Sequence, residues 1–302
     1  MTEASRGRIF VIIAMLIFGT VGIFSKQVPL PSGTVALSRS VIGLLFLIAL
    51  MIVRRRAPSL RAVRRNAALL VASGVCLGLN WVLFFAACRA TTVPTATLAY
   101  YLAPAFMVVG ALLVYKERVS LLRALSVATA LVGMLFASGV IEGGAEGVTL
   151  KGILFGAGAA IIYAAIVLMN KGMKDIDSLD KTGVQFAVAS LILLPYTFIV
   201  EKPSASALDP RCVLLLLIIG IFHTGVAYAL YFGSISKLSP TSVGMLGYID
   251  PIVSIAVSVA FFSEPLSPWA LVGALLIIGA SAGSEFLSFR EQNNKRETKN
   301  EN

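Results

Sequence analysis

Asp250 stands alone in "VGMLGYIDPIVSIAVSVAFF", twenty residues with no other charged side chain. A carboxylate costs about 2.5–3.5 kcal/mol to insert into hydrocarbon, so one placed there faces a cavity or a partner. It can hold a cation, exchange a proton, or stay protonated against a neighbouring helix. His223, the one histidine, lies in "GIFHTGVAYALYF". Imidazole titrates near neutrality and can carry a proton, or it can serve as an interhelical hydrogen-bond partner. Arg39 is a permanent cation whose planar fork suits a carboxylate or phosphate. It could bind such a group, pair with Asp250, or snorkel outward along its stem. Trp81, Phe84, Tyr100, Tyr101, Tyr228, Tyr231 and Tyr248, with Asn80 beside them, fall on the same few apolar segments. If they line one cavity, it takes amphipathic or aromatic ligands; the alternative is ordinary packing and an interfacial belt. His223 and Tyr231 are eight positions apart and share a helix face.

Other chemistries lack their residues. One histidine and three scattered cysteines, Cys76, Cys88 and Cys212, offer no metal-ligand spacing and read as free thiols. There is no phosphate-binding glycine motif and no nucleophile elbow. No cofactor, metal or catalytic residue is expected, and Glu117 and Glu264 read as residues at span ends.

These side chains must be positioned by membrane helices. Of 302 residues, 58% are hydrophobic and 13% charged, against about half and a quarter in soluble domains. The apolar residues come in blocks such as "VIGLLFLIALMIV". Crossing the bilayer takes roughly 20 of them in a helix, and the alternation of a barrel strand is missing. Ten spans are expected, near 8–26, 33–53, 67–89, 93–115, 120–139, 149–170, 181–200, 212–235, 240–262 and 267–287. The net charge of +10 follows the positive-inside rule rather than pointing to nucleic acid. With a cytoplasmic N-terminus, 19 Lys and Arg lie on the inner side, six of them in 54–65, and 5 on the outer. The expected location is a cell (inner) membrane, multi-pass, with both termini cytoplasmic. Residues 290–302 are polar and expected to be disordered.

The chain repeats itself. "NWVLFFAACRATTVPTATLAYYLAPAFMVVGALLVYKERVS" (80–120) aligns with "AYALYFGSISKLSPTSVGMLGYIDPIVSIAVSVAFFSEPLS" (227–267) at an offset of 147. Trp81 meets Tyr228, Phe85 meets Phe232, and Pro104 meets Pro251. Earlier, "FGTVGIFSK" (18–26) lies over "YAAIVLMNK" (163–171), and Arg39 falls opposite Gln185. Two five-helix halves enter the membrane with opposite polarity, as in many secondary transporters, with the site between them near the midplane. The expected fold is all-α integral membrane: one repeat in 1–142, an inverted one in 147–289, and the tail. The fold places Tyr and Pro in both halves, but Asp250 is matched by Ala103 and Arg39 by the neutral Gln185, so the halves differ chemically.

These residues resemble the drug/metabolite transporter superfamily, in its EamA-type ten-helix branch, over nearly the whole chain. The resemblance rests on the two five-helix halves, on Arg39 early in the second span, and on the phrases "YLAPAFMVVGALLVYKERVS" and "YIDPIVSIAVSVAFFSEPLS". The glycine usual before the closing glutamate is Lys116 in one half and Ser263 in the other. The resemblance implies a carrier; such proteins move amino acids, sugars, nucleotide sugars or drugs.

The expectation is therefore a secondary transporter, an exporter of a small amino-acid-like or amphipathic metabolite working by alternating access. Its expected substrate-binding residues are Asp250, His223, Arg39, Gln185, Asn80, Trp81, Tyr101, Tyr228, Tyr231 and Tyr248. Its partners are the substrate and the lipid bilayer, with protons as candidate coupling ion, in a monomer or homodimer. The competing readings are a membrane-embedded lipid-modifying enzyme and a non-transporting receptor.

Overall fold

The computed structural model describes residues 3–25, 27–91, 93–116, 120–137, 140–143, 148–203, 209–262 and 268–300. Glu117, Ser263 and Glu264 lie outside them. All regular structure among the described residues is helical. Among the described residues, seven helical segments are long and apolar enough to cross a membrane: Glu3–Ser25, Ser32–Val53, Ala67–Ala90, Thr95–Tyr115, Leu150–Gly172, Ser178–Glu201 and Pro210–Ile235. Leu121–Phe136 and Leu271–Ser284 are shorter apolar helices. Large apolar side chains on the outside, among them Leu113, Leu154, Leu191 and Ile199, are more than half exposed. That surface suits lipid and would be costly in water.

The elements that build the site are α1 (Glu3–Gly19), α2 (Ser32–Val53), α3 (Ala67–Ala90), α4 (Val93–Tyr100), α5 (Ala103–Tyr115), α6 (Leu121–Ala137), α7 (Leu150–Gly172), α8 (Ser178–Tyr196), α9 (Pro210–Gly220), α10 (Ala227–Ile235), α11 (Pro240–Gly247), α12 (Ile249–Phe262) and α13 (Pro268–Asn300). α7 runs along α3 and also meets α4 and α5. α1 packs on α10, α11 and α12. α8 lies against α2 and α3, α11 against α5, and α13 against α6.

Two long segments are broken rather than merely bent. The chain relaxes at Tyr101–Leu102 between α4 and α5, and at Tyr248 between α11 and α12. At each break one amide reaches back only three residues, Leu102 to Ala99 at 3.3 Å and Tyr248 to Met245 at 3.2 Å. Each break thus lies just ahead of a proline. Pro104 and Pro251 each follow as the second or third residue of the new helix, where a missing N–H leaves no ladder bond unmade.

Among the described residues two π-helical stretches, Thr197–Glu201 and Ile221–Val226, interrupt the α-ladder. Such bulges are often found at functional sites. Close approach explains the glycines at 74 and 156. A side chain at Gly74 would meet Val188 Cβ at 2.7 Å, and one at Gly156 would meet Ala99 Cβ at 2.8 Å. Nothing lies within 4 Å of a Cβ built at Gly279 or Gly283. α13 continues to Asn300 across residues that composition marks as a disordered tail. "REQNNKRETKN" contains no Gly or Pro and is rich in helix-forming Glu, Lys, Arg and Gln.

Candidate functional site

A cavity of about 280 Å³ opens among α1, α2, α3, the α4–α5 break, α7, α10 and the α11–α12 break. Its two charged groups are Arg39 and Asp250. Arg39 Nε donates to Thr224 Oγ1 at 3.1 Å, and Thr224 Oγ1 donates onward to the Ile219 carbonyl at 2.9 Å. The guanidinium also lies over the Trp81 ring, 5.5 Å from its centroid. The π-helical stretch is what brings Thr224 to this position; an α-helical register would rotate it away. Asp250 sits in the first turn of α12, where the helix dipole favours a carboxylate. Tyr101 lines the cavity with it, and its hydroxyl interacts with the carboxylate. Among the described residues Arg39 and Asp250 form no ion pair. Each has a fixed neighbour and a free side toward the cavity.

Between the two charges the wall is aromatic. Tyr100 packs on Phe84 at 5.0 Å and on Tyr163 at 5.7 Å, and Trp81 meets Tyr228 edge-on at 6.2 Å. Asn80 anchors this wall by donating to the Ala159 carbonyl at 2.7 Å. Nothing lies within 4 Å of a Cβ built at Gly247. Gly247 falls opposite Tyr100 in the repeat, so one half presents a ring where the other leaves room.

The expected residues divide between the cavity and its surroundings. Asp250, Arg39, Asn80, Trp81, Tyr101 and Tyr228 line it; His223, Gln185, Tyr231 and Tyr248 do not. His223 pairs with the Thr20 hydroxyl at 3.0 Å and lies beside Phe24 at 5.0 Å, without touching Asp250. Gln185 donates to Ser73 Oγ at 2.6 Å and ties α8 to α3. Tyr231 accepts a bond from the Tyr163 hydroxyl at 2.7 Å, directly behind the wall. Tyr248 stacks on Tyr101 at 6.4 Å and donates to its carbonyl at 3.4 Å. Tyr231 also meets Phe18 of α1 edge-on at 6.2 Å.

Reading from charged and polar residues missed Met15, Phe18, Tyr163, Met107 and Ser254, which also line the cavity. Two of these carried a signal. Phe18 and Tyr163 occupy matching places in the repeat, one aromatic from each half. The methionines carried none, because nothing in an apolar span marks which face looks inward.

The cavity lies between two polar ties. At one face Arg56 bridges Asp177 at 2.5 Å and Asp180 at 3.2 Å, and the Ser59 amide donates to Asp180 at 3.1 Å. The bond to Asp177 raises the affinity of Arg56 for its proton. At the other face Glu201, with its side chain 1% exposed, accepts from the Gly33 amide at 2.9 Å, the Thr34 amide at 2.7 Å and Arg89 at 2.7 Å. Glu201 thereby caps the N-terminus of α2 from a distant segment. Both ties join residues before 142 to residues after 147.

The family model described as the EamA-like transporter family matches this chain twice, over residues 5–139 and 150–284. The uncharacterized transporter YxxF of Bacillus subtilis is 26% identical over 283 residues, covering 93% of this chain and 89% of that protein. The chloramphenicol-sensitive protein RarD of Pseudomonas aeruginosa is 27% identical over 285 residues, covering 89% of each. A solved crystal structure, 21% identical, superposes with a TM-score of 0.82 over 95% of this chain and 98% of that one.

Proposed function

Because the chain belongs to the EamA-like transporter family, we propose that it exports a small zwitterionic, partly apolar metabolite by alternating access between two inverted five-helix halves. Arg39 takes the substrate carboxylate and Asp250 its ammonium group. The aromatic wall holds the apolar remainder. The observation that carries this reading is the pair of opposite charges standing unpaired at one aromatic cavity. A neutral sugar would neutralise neither charge, and a simple anion would leave Asp250 facing it.

Packing supports the inverted halves. Residues matched by a two-fold relation touch only near its axis, and Trp81–Tyr228 and Tyr101–Tyr248 are matched pairs in ring contact. Helix neighbours exchange in the same way: α7 on α3 mirrors α1 on α10, and α7 on α4–α5 mirrors α1 on α11–α12. The axis thus passes through the cavity, where either half can close over the substrate. The halves are 1–142 and 147–289, with both termini on the cytoplasmic side of a cell membrane. Asp250, which exchanges a proton when no ammonium occupies it, is the group through which protons would couple.

Purified protein in liposomes tests the reading with one aromatic scaffold offered as amino acid, as the acid lacking the amine, and as the amine lacking the acid. Saturable flux fastest for the zwitterion is expected; lipid turnover without flux of any of the three would overturn it. Reporter tags in 54–65 and 171–181 should report the same side of the membrane, and opposite sides would sink the inverted arrangement. Thr224→Val should raise the KM for the zwitterion about tenfold, the effect of losing one hydrogen bond to a charged group. Thr224→Ser should restore it, because the serine hydroxyl can still hold Arg39. Equal KM in the two variants would remove Thr224 from the site.

A further inference from the structure

A second cavity, of about 410 Å³, lies at the face that carries the Arg56 tie, between the start of α1, the start of α8 and the end of α10. Three cations line it, Arg6, Lys181 and Lys237, against one carboxylate, Asp177. That carboxylate is already held by Arg56 at 2.5 Å. Lys181 is only 2% exposed, and its ammonium donates to a single described acceptor, the Phe232 carbonyl, at 3.0 Å. An ammonium has three donors. Capping the end of α10 accounts for one of them and for neither Arg6 nor Lys237.

We propose that this cavity is a headgroup site for an anionic phospholipid of that leaflet. The chemistry recognised is a phosphate monoanion. Lys181 supplies the buried charge, and Arg6 and Lys237, both exposed at the rim, supply charge-assisted hydrogen bonds from either side. Ser178, Ser234 and Ser236 line the same space. The lipid is favoured over a free anion by position and by the wall. Arg6 opens α1 and Lys237 sits in the turn after α10, which places the cations at headgroup level. Phe10 and Leu230 supply an apolar side for the glycerol and the first methylenes. Basic clefts between helices on the positively charged side of membrane proteins suit such headgroups. The site is separate from the aromatic cavity and does not depend on what that cavity carries.

The test compares the full-length protein in phosphatidylcholine bilayers with and without phosphatidylglycerol, reading the unfolding midpoint and the lipid retained after purification. Phosphatidylglycerol should raise the midpoint and be retained selectively. The double variant Arg6→Gln/Lys237→Gln should lose about tenfold in retention. Arg61→Gln/Arg64→Gln, which removes two exposed charges from the basic loop at the same face, should keep it. Equal losses in the two double variants would reduce the effect to general surface attraction and overturn the site. So would equal midpoints in the two bilayers. Stabilisation by inorganic phosphate in pure phosphatidylcholine, with nothing added by phosphatidylglycerol, would overturn the lipid assignment in favour of a free anion. Rim residues are chosen because Lys181→Met also removes the cap on α10 and would confound folding with binding.

Discussion

Asp250→Asn should yield a folded protein whose zwitterion flux is at least about tenfold slower than the wild type. The amide keeps the shape of the side chain and an acceptor for the Tyr101 hydroxyl, so the wall should stay in place. It loses the charge that answers an ammonium group. A hydrogen bond to a charged group contributes about 1.5–3 kcal/mol, and each 1.4 kcal/mol is about tenfold in affinity. The unfolding midpoint should stay level or rise, because a carboxylate without an ion-pair partner is relieved of its desolvation cost. Flux in liposomes and the midpoint are read on the same preparation. A variant that loses stability and flux together would make Asp250 a structural residue. Unchanged flux would remove it from the site.

Glu201→Gln and Asp180→Asn should have opposite effects on which face of the protein is open. Glu201 holds the Gly33 and Thr34 amides and Arg89 at one face; Asp180 holds Arg56 and the Ser59 amide at the other. Each tie crosses between the halves, so alternating access requires one to part while the other holds. Weakening either by about 1–3 kcal/mol shifts a two-state equilibrium by roughly fivefold to a hundredfold. The reporter is Ser254→Cys, with Cys76, Cys88 and Cys212 replaced by Ser. Ser254 lines the cavity and lies beyond Asp250 in the direction of the Glu201 face. Labelling by a membrane-impermeant thiol reagent applied at that face should rise in Glu201→Gln and fall in Asp180→Asn. Changes of the same sign in both variants would mean that the ties hold the fold together and do not gate it. The two variants probe the mechanism without touching the cavity, so they can fail while the Asp250 result stands.

The repeat and the single acid were legible from the chain because both are local signals. A proline three positions after a tyrosine, at matching places in two segments, marks a helix break wherever the segments pack. A carboxylate in hydrocarbon must find a cavity or partner, so residue type alone marks Asp250. Arg39 was legible for the same reason. Gln185 and His223 were not, since polarity says that a side chain needs a partner and not which one. Gln185 found Ser73 on α3, and His223 found Thr20 just past the end of α1.

Membrane class, helical secondary structure and the two-part repeat follow from the sequence alone, because hydropathy over twenty residues and an offset of 147 positions need no knowledge of packing. Which aromatic side chains face the cavity, where the π-helical stretch turns Thr224 onto Arg39, and which distant carboxylate caps α2 were decided only by tertiary structure. The physical reason is that a spanning helix is apolar on every face. In a soluble helix one polar side declares which side is buried; here lipid and protein interior ask for the same residues, and only the neighbouring helices distinguish them.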